Sequence, residues 1–200
     1  MDFDLTEDQK EIKGVARELL ASRSPFAKVR EAAETRTYEA ALWSELVGLG
    51  WPGIAVSESH GGQGLGAVEL AVLLEELGYA CAASPFLSTA AVAAAIEAAG
   101  SEAQRSRWLG SLASGEATAG LGSWELAADA EGAAVVLVLD GERALLVESP
   151  ACEEVVSIDA TRRFASVSGD GEPLGAGAAH LVRAAVAAEI VGVSQRALDM

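Results

Sequence analysis

The densest group of residues that could bind a ligand lies in a glycine-rich segment at residues 51–66. Four glycines follow His60 within residues 61–66. Glycine-rich loops bind phosphate when their backbone N–H groups open a helix after a strand, as in the GxGxxG and GxxxxGK[ST] patterns. This spacing matches neither pattern, and no strand leads into the segment. We therefore predict a tight loop in which absent side chains let the backbone approach a neighbour, either protein or a ligand beside Trp51 and His60.

Other reactive side chains are isolated along the chain. No nucleophile or carboxylate is placed beside His60 by spacing, so we predict that it is solvated or caps a turn. Glu75 and Glu76 are adjacent in a helical segment and point in different directions, which excludes an acid–base pair. Cys81 and Cys152 belong to no CxxC pattern and are predicted to be buried free thiols. We assign no catalytic residue and no metal ligand to this sequence.

The charge balance restricts the partners of the protein. Its 30 acidic residues and 14 lysines and arginines give a net charge of −16, which repels nucleic acids and anionic membranes. The first residues lack the basic segment and apolar core of a signal peptide. The most apolar run, residues 90–99, is too short to span a bilayer. We expect a cytoplasmic protein that binds neither nucleic acid nor membrane.

Five helical segments are predicted before residue 115. The first begins with a capping box from Thr6 to Gln9 and ends before Pro25. The other four cover residues 37–49, 67–80, 84–100 and 101–114, the last with a second capping box at its start. The third helix is predicted to turn these side chains inward: Val68, Ala71, Leu74 and Leu77.

In the second half of the chain, the spacing of apolar residues changes from a helical to a strand-like pattern. Residues 133–139 and 144–147 are apolar and β-rich around an Asp140-Gly141 turn, which predicts a hairpin. Residues 155–158 and 164–168 are further strand candidates, so we expect about four to six strands. Helical spacing resumes near Gly177 and continues to the last residue without a stop signal.

These segments predict an α+β fold in three parts. Residues 1–115 form an all-helical domain, residues 116–175 form a small β-barrel or sheet domain, and residues 176–200 form the first helix of a C-terminal helical bundle. The last helix keeps a regular apolar face and needs a packing partner. We therefore expect more of the bundle to follow residue 200.

Several segments resemble the acyl-CoA dehydrogenase family and occur in its order. FDLTEDQ at residues 3–9 resembles the start of the family, and LGWPGIAVSESHGGQG at residues 49–64 resembles its LGW–GI–VPE–YGG–G loop. EELG at residues 75–78 and SPF at 84–86 match the helix and turn that follow in the family. Further matches are GSEAQ at residues 100–104, WL at 108–109, SGE at 114–116 and the terminal AEIVGVSQRALD at 188–199. Each segment is weak alone, but together they cover nearly the whole chain.

The resemblance implies α,β-dehydrogenation of an acyl-CoA thioester with FAD as cofactor. In the family, a carboxylate removes the α proton while the β hydride passes to the flavin, and hydrogen bonds to the thioester carbonyl acidify the α carbon. The base of the family lies in the C-terminal bundle, so no residue of this sequence inherits that role. The resemblance also implies an electron-transferring flavoprotein as a partner and a homo- or heterotetramer.

The sequence departs from the family pattern at the cofactor. The flavin-contacting TEP–AGSD signature is replaced by AGLGSWE at residues 119–125, in which Ser123 is predicted to supply the hydroxyl that contacts the flavin. The later K–WITN motif is absent, and the β region is shorter than is usual in the family.

A final segment, DATRRF at residues 159–164, resembles the D–TRR of actinobacterial, sterol-type members, some of which are α2β2 heteromers. Arg162 and Arg163 either form a solvated turn or contact another subunit or the phosphates of CoA or FAD. We expect a dehydrogenase subunit for lipid or sterol breakdown. The alternatives are a non-catalytic subunit that completes the site of a partner, and an acyl-CoA oxidase.

Overall fold

The computed structural model describes residues 4–200, so Phe3 of the opening motif lies outside it. Among these residues, six α-helices and two short 3-10 helices, Trp51–Gly53 and Glu58–His60, precede a sheet, and one long α-helix follows it. The helices are α1 Glu7–Arg23, α2 Phe26–Thr35, α3 Ala40–Gly48, α4 Ala67–Tyr79, α5 Phe86–Ala99, α6 Glu102–Ala113 and α7 Ala178–Asp199. Both predicted capping boxes are present, at the starts of α1 and α6. The predicted α+β class is confirmed, and the domain boundaries at 115 and 175 stay predictions.

Seven strands in the described part of the chain form one mixed sheet. They are β1 Ala119–Gly122, β2 Ala127–Ala128, β3 Val135–Asp140, β4 Arg143–Glu148, β5 Ala151–Val155, β6 Phe164–Ser168 and β7 Gly171–Pro173. Their order across the sheet is β5-β6-β2-β1-β3-β4-β7. β1 and β3 pair in parallel, and the other pairs are antiparallel. The predicted hairpin is confirmed as β3 and β4.

The elements differ from the predictions where the sequence pattern is weak. α2 was not predicted, because only Phe26 and Val29 give this charged segment large apolar side chains. β1 and β2 consist mainly of Ala and Gly, which have low β propensity. The strand predicted at residues 155–158 lies earlier, at β5. Val68 was wrongly predicted to be inward, since it is 52% exposed.

α5 is the centre of the helical layer. Its residues 86–96 are all buried, and the helix packs against α6, α7 and β1. A helix that is apolar on every side must be surrounded by protein. The Thr89 hydroxyl of α5 accepts a hydrogen bond from the backbone N–H of Ala119 in β1 at 3.2 Å. α5 therefore joins the helices to the first strand of the sheet.

α4 and α7 cross with their backbones in contact. A Cβ atom on Gly78 would lie 2.1 Å from the carbonyl oxygen of Glu189. A Cβ atom on Gly192 would lie 1.9 Å from the carbonyl oxygen of Glu75. Both distances are far below van der Waals contact, so only glycine allows this approach. The two glycines set the distance between the long final helix and the helical layer.

α1 is attached to α4 through a buried carboxylate. The side chain of Glu76 has no solvent exposure and accepts hydrogen bonds from Arg17 Nε and, at 2.9 Å, from Arg17 Nη2. Lys13 Nζ lies 3.6 Å from the same carboxylate. The Arg17 guanidinium also stacks 3.8 Å above the ring of Tyr79. A bidentate pair of this kind compensates the desolvation of the Glu76 charge.

A second buried carboxylate ties the helical layer to the sheet. Asp129, between β2 and β3, accepts hydrogen bonds from Tyr38 Oη and, at 2.6 Å, from Ser88 Oγ. Its backbone N–H donates to the carbonyl oxygen of Arg163 at 2.9 Å. Asp129 has a left-handed φ of 58°, which Asp and Asn tolerate better than other side chains. Burial raises the pKa of the Asp129 carboxyl, and burial also raises the pKa of Tyr38.

Substitution of either crossing glycine should destabilise the protein. In Gly192→Ala and Gly78→Ala, the new methyl group must push α4 and α7 apart. We expect each variant to lose ~2–3 kcal/mol of unfolding free energy, as for overpacked cores. Equilibrium unfolding in urea measures this loss.

The matched control is Gly14→Ala in α1, where an added Cβ atom has no neighbour within 4 Å. Replacing an open helical glycine should stabilise the protein by roughly 0.5–1 kcal/mol. Equal stability of the Gly14 and Gly192 variants would contradict the close crossing.

Asp129 should tolerate asparagine and not alanine. Asn adopts the same backbone conformation, accepts from Tyr38 and donates to a rotated Ser88 hydroxyl. Asp129→Ala leaves two buried hydroxyls without a partner, and we expect it to cost about 2–4 kcal/mol. Chemical denaturation of the two variants and the wild type measures the difference.

The pH dependence gives this prediction a second readout. Because the folded-state pKa of Asp129 is raised above 3.8, its contribution to stability is present at low pH and lost as the pH rises through the folded pKa. Asp129→Asn has no such loss. Its stability relative to wild type should therefore increase from about pH 4 to pH 7. A difference that stays flat or decreases with pH would contradict the buried position of this carboxyl.

Candidate functional site

An apolar groove of about 620 Å³ lies between α2, α4 and α7. Cavities of ~300–1,000 Å³ with apolar walls and a few polar groups are typical of ligand sites. The loop between β5 and β6 contributes Asp159, Thr161 and Arg162 to the groove. Its apolar side chains are Phe26, Val29, Ala33, Leu77, Ala82, Ile190 and Val193. We call this feature the α2–α7 groove.

A nearly buried ion pair forms the polar part of the groove. Arg162 Nη2 lies 2.6 Å from Glu189 Oε1, and the two side chains are 19% and 11% exposed. Burial acts to lower the pKa of the Arg162 guanidinium, but the Glu189 carboxylate, together with Asp129 and Tyr38, raises it and the net shift is upward. The pair joins α7 to the β5–β6 loop. The solvated-turn prediction for Arg162 is therefore wrong, and its contact with a phosphate stays a prediction.

The β5–β6 loop is held by its own hydrogen bonds. Asp159 Oδ1 accepts the backbone N–H of Thr161 at 2.9 Å and its hydroxyl at 2.6 Å. The Arg163 guanidinium stacks 4.3 Å over the ring of Tyr38. A smaller polar cavity of about 190 Å³ contains Arg36 and Arg163 together with acidic side chains. Arg162 and Asp159 line both cavities, so the loop separates a polar cavity from an apolar one.

The two cysteines are free thiols in separate environments. Cys81 lines the α2–α7 groove with a left-handed φ of 49°, and Cys152 Sγ lies 3.5 Å from the carbonyl oxygen of Ala130. Burial raises the pKa of both thiols, which disfavours the reactive thiolate. Both are half-buried, so the prediction of buried thiols is only partly correct.

The glycine-rich segment is closed by its own backbone hydrogen bonds. The N–H groups of Gly62, Gln63, Gly64 and Leu65 all donate to carbonyl oxygens within residues 53–57. A Cβ atom on Gly62 would lie 2.2 Å from the Val56 carbonyl oxygen. The prediction of a tight loop with close backbone approach is confirmed, with protein as the neighbour. These N–H groups are not directed at a phosphate.

His60 has polar partners that spacing alone did not indicate. Its Nδ1 atom lies 2.9 Å from Ser57 Oγ and 3.5 Å from Glu97 Oε2. Glu97 also accepts the backbone N–H and the hydroxyl of Ser57, both at 3.1 Å. The same imidazole nitrogen faces both partners, so the geometry is not that of a nucleophile–base–acid relay. The cluster attaches the 57–60 turn to the end of α5.

Ser123 lies in the turn between β1 and β2. Its hydroxyl donates to Glu125 Oε2 at 3.0 Å and accepts the N–H of Leu126 at 3.1 Å. A hydroxyl has one proton and two acceptor positions, so only one acceptor position remains for another group. The role of Ser123 as a flavin contact stays a prediction.

Residues 4–200 contain neither a metal-binding cluster nor a membrane-spanning helix. No group of three or more His, Cys, Asp or Glu side chains there is arranged to hold a metal ion. The helices of the same region are each too short or too polar to cross a bilayer.

The most informative site residue, Glu189, was missed from the sequence. It lies in a buried stripe of α7 formed by Val182, Ala185, Glu189 and Gly192. An acidic residue on the apolar face of an amphipathic helix signals a buried partner. Glu76 in α4 shows the same signal, between Leu73 and Leu77. Neither pattern reveals which cation is the partner.

Comparison with known proteins agrees with this architecture. A family model for the N-terminal domain of acyl-CoA dehydrogenases matches residues 6–116, which is more than half of the 200 residues. The acyl-CoA dehydrogenase IpdE2 of Mycolicibacterium smegmatis is 29% identical over 209 residues, with 98% of this chain and 64% of the relative covered. The chain therefore spans just under two thirds of the length of this curated relative.

Solved structures show the same fold. A variant of the steroid ACAD Tcur3481-Tcur3483 is 25% identical with a TM-score of 0.82, over 96% of this chain and 65% of that one. The ChsE4-ChsE5 complex from Mycobacterium tuberculosis is 21% identical with a TM-score of 0.81, over 100% and 67% of the chains. Butyryl-CoA dehydrogenase from Megasphaera elsdenii is 19% identical with a TM-score of 0.80, over 100% and 69%.

The similar proteins share the order of helical layer, sheet and α7, and they include members of the predicted family. The family model covers α1 to α6, and the matched structures extend over the sheet and α7 as well. On this evidence, the chain belongs to the acyl-CoA dehydrogenase family.

Proposed function

We propose that this chain belongs to a subunit of a FAD-dependent dehydrogenase that forms the α,β double bond of an acyl-CoA thioester. The observation that carries the proposal is the common arrangement of helical layer, sheet and α7. A steroid ACAD variant shares it at a TM-score of 0.82 and 25% identity over 96% of the chain. Because the chain spans about two thirds of such relatives, the activity is proposed for the complete subunit.

We propose a substrate with a bulky apolar acyl group, of lipid or sterol origin. The α2–α7 groove offers about 620 Å³ beside mainly apolar side chains, and its walls include the small residues Ala33, Gly78 and Ala82. Arg162 and Glu189 bring opposite charges to the same groove, where a polar end of the acyl group would meet donors and acceptors. The proposed location of the protein is the cytoplasm, and its proposed redox partner is an electron-transferring flavoprotein.

FAD binding is proposed for the complete assembly rather than for residues 4–200 alone. Ser123 is the proposed flavin contact in this part, but its only proton is used by Glu125 in the β1–β2 turn. No residue of the described chain is assigned as the base that removes the α proton. In this proposal, the remaining catalytic and cofactor-binding groups come from elsewhere in the subunit or from a neighbouring subunit.

A second candidate function is that of a non-catalytic subunit completing the site of a partner. The observation in its favour is the closed β1–β2 turn, in which the hydroxyl and backbone N–H of Ser123 already have partners. Two of the similar structures are named as pairs of proteins, Tcur3481-Tcur3483 and ChsE4-ChsE5. A subunit that shares its cofactor site with a different chain fits both observations.

Filling the groove should impair use of bulky acyl-CoA substrates. Ala33→Leu adds three carbon atoms to the wall formed by α2. We expect kcat/KM for a sterol-derived acyl-CoA to fall about tenfold or more, with a smaller effect on a short acyl-CoA, as for pockets that lose space. Steady-state assays of the complete enzyme with an artificial electron acceptor give both values.

Ala32→Leu provides the matched control on the same helix, because Ala32 lines a different and smaller cavity with Lys28 and Glu31. It should leave both substrates unaffected. Equal kcat/KM values for the two leucine variants with both substrates would contradict the assignment of the groove as the acyl site.

The origin of the flavin site can be read from the visible spectrum. We expect the complete subunit to carry little FAD when purified alone and about one FAD per site when co-expressed with an adjacent acyl-CoA dehydrogenase-like subunit, since the Ser123 turn is closed. Absorbance of the purified proteins measures the flavin content.

A subunit purified alone with stoichiometric, tightly bound FAD would contradict the shared site and support a self-sufficient flavoenzyme. Complete absence of flavin in both preparations, with no dehydrogenation of any acyl-CoA, would contradict the proposed function as a whole.

A further inference from the structure

The strand β5 leaves one side of the sheet open. It forms the edge of the seven-stranded sheet and, within residues 4–200, pairs only with β6. The opposite edge strand, β7, has three residues, whereas β5 has five. Open edges pair readily with other chains, and proteins usually shorten or cover them. β5 is therefore the longer of the two available edges.

Apolar side chains directly follow this open edge. Val156 is 73% exposed, and Ile158 is fully exposed. Exposed apolar side chains that lie two residues apart beside an unpaired strand are typical of an interaction surface. We call β5 together with Val156 and Ile158 the β5 edge.

The acidic side chains of the β5 edge disfavour a second copy of this chain as its partner. Glu153 and Glu154 are both exposed in the strand, and Glu154 Oε1 pairs with Arg36 Nη1 at 3.0 Å. Glu153, in the middle of β5, has no ion pair among the described residues. If two copies paired antiparallel about the middle of β5, each Glu153 would face the same residue of the other copy. Like charges in directly opposed positions destabilise a strand pair.

The net charge of −16 adds to this repulsion between copies. A chain with lysine or arginine opposite Glu153 would instead gain a cross-strand ion pair. The apolar side chains that follow would then be covered by the same partner.

We propose that the β5 edge binds a different polypeptide chain, which adds a strand to the sheet and presents basic residues to Glu153. The added strand satisfies the open backbone groups, and its apolar side chains cover Val156 and Ile158. The inference deepens the proposed partner subunit by naming the surface it contacts. It does not require this chain to bind flavin.

A charge-reversed copy of the protein serves as the probe for a basic edge. The complete subunit carrying E153K and E154K presents the same strand with lysines. In sedimentation velocity experiments, an equimolar mixture with wild type should form a larger species that neither protein forms alone. Ile158→Asp in the wild-type component should weaken this species about tenfold or more, because a carboxylate cannot be buried without a partner.

The matched control is Val68→Asp, since Val68 is an exposed valine of α4 outside the β5 edge. It should leave the mixed species unchanged. Absence of the mixed species would overturn the proposal. So would a loss of self-association of otherwise wild-type protein on Ile158→Asp, which would identify a second copy as the occupant.

Flavin content and dehydrogenase activity are measured on the same samples. Absence of both flavin and activity would count against the proposed function. Formation of the mixed species would still support the β5 edge as a binding surface, so the two proposals are tested separately.

Discussion

The backbone contact between α4 and α7 is the constraint on which the rest of the structure depends. Gly78 and Gly192 let the two helices approach closer than any side chain would permit. This approach brings Glu189 of α7 to the edge of the groove, where Arg162 reaches it from the β5–β6 loop. The groove exists because α7 is held against α4 while α2 lies beside them.

Buried carboxylates connect the elements that surround this crossing. Glu76 holds α1, Asp129 holds the α2–α3 connection to α5 and the sheet, and Glu189 holds the β5–β6 loop. Each carboxylate is on one element and its donors are on others. A buried polar group without its partner at these positions would be costly, so each interaction favours one arrangement of otherwise non-directional apolar surfaces. The proposed function therefore depends on polar contacts that also define the fold.

The proposed function uses two features of the structure, the α2–α7 groove and the β5 edge. In the proposed function, the groove supplies apolar space for a substrate, whereas the edge leaves backbone groups open to another chain. The proposal that outside groups complete the cofactor site uses the closed turn at Ser123, whose hydroxyl is hydrogen-bonded within the chain. A subunit that binds part of a substrate and relies on a partner for part of the cofactor site accounts for all three features.

Local sequence patterns determined most of the helices, the two capping boxes, the β3–β4 hairpin and the family resemblance. These features depend on neighbouring residues, whose spacing and capping chemistry are visible in the chain itself. α2 and the first two strands were missed because their residues carry weak propensities that packing overrides. Only the tertiary structure decided that Arg162 pairs with Glu189, that His60 meets Glu97, and that Gly192 contacts α4. Those contacts join residues far apart in sequence, and no local periodicity encodes which distant side chain will neutralise a buried charge.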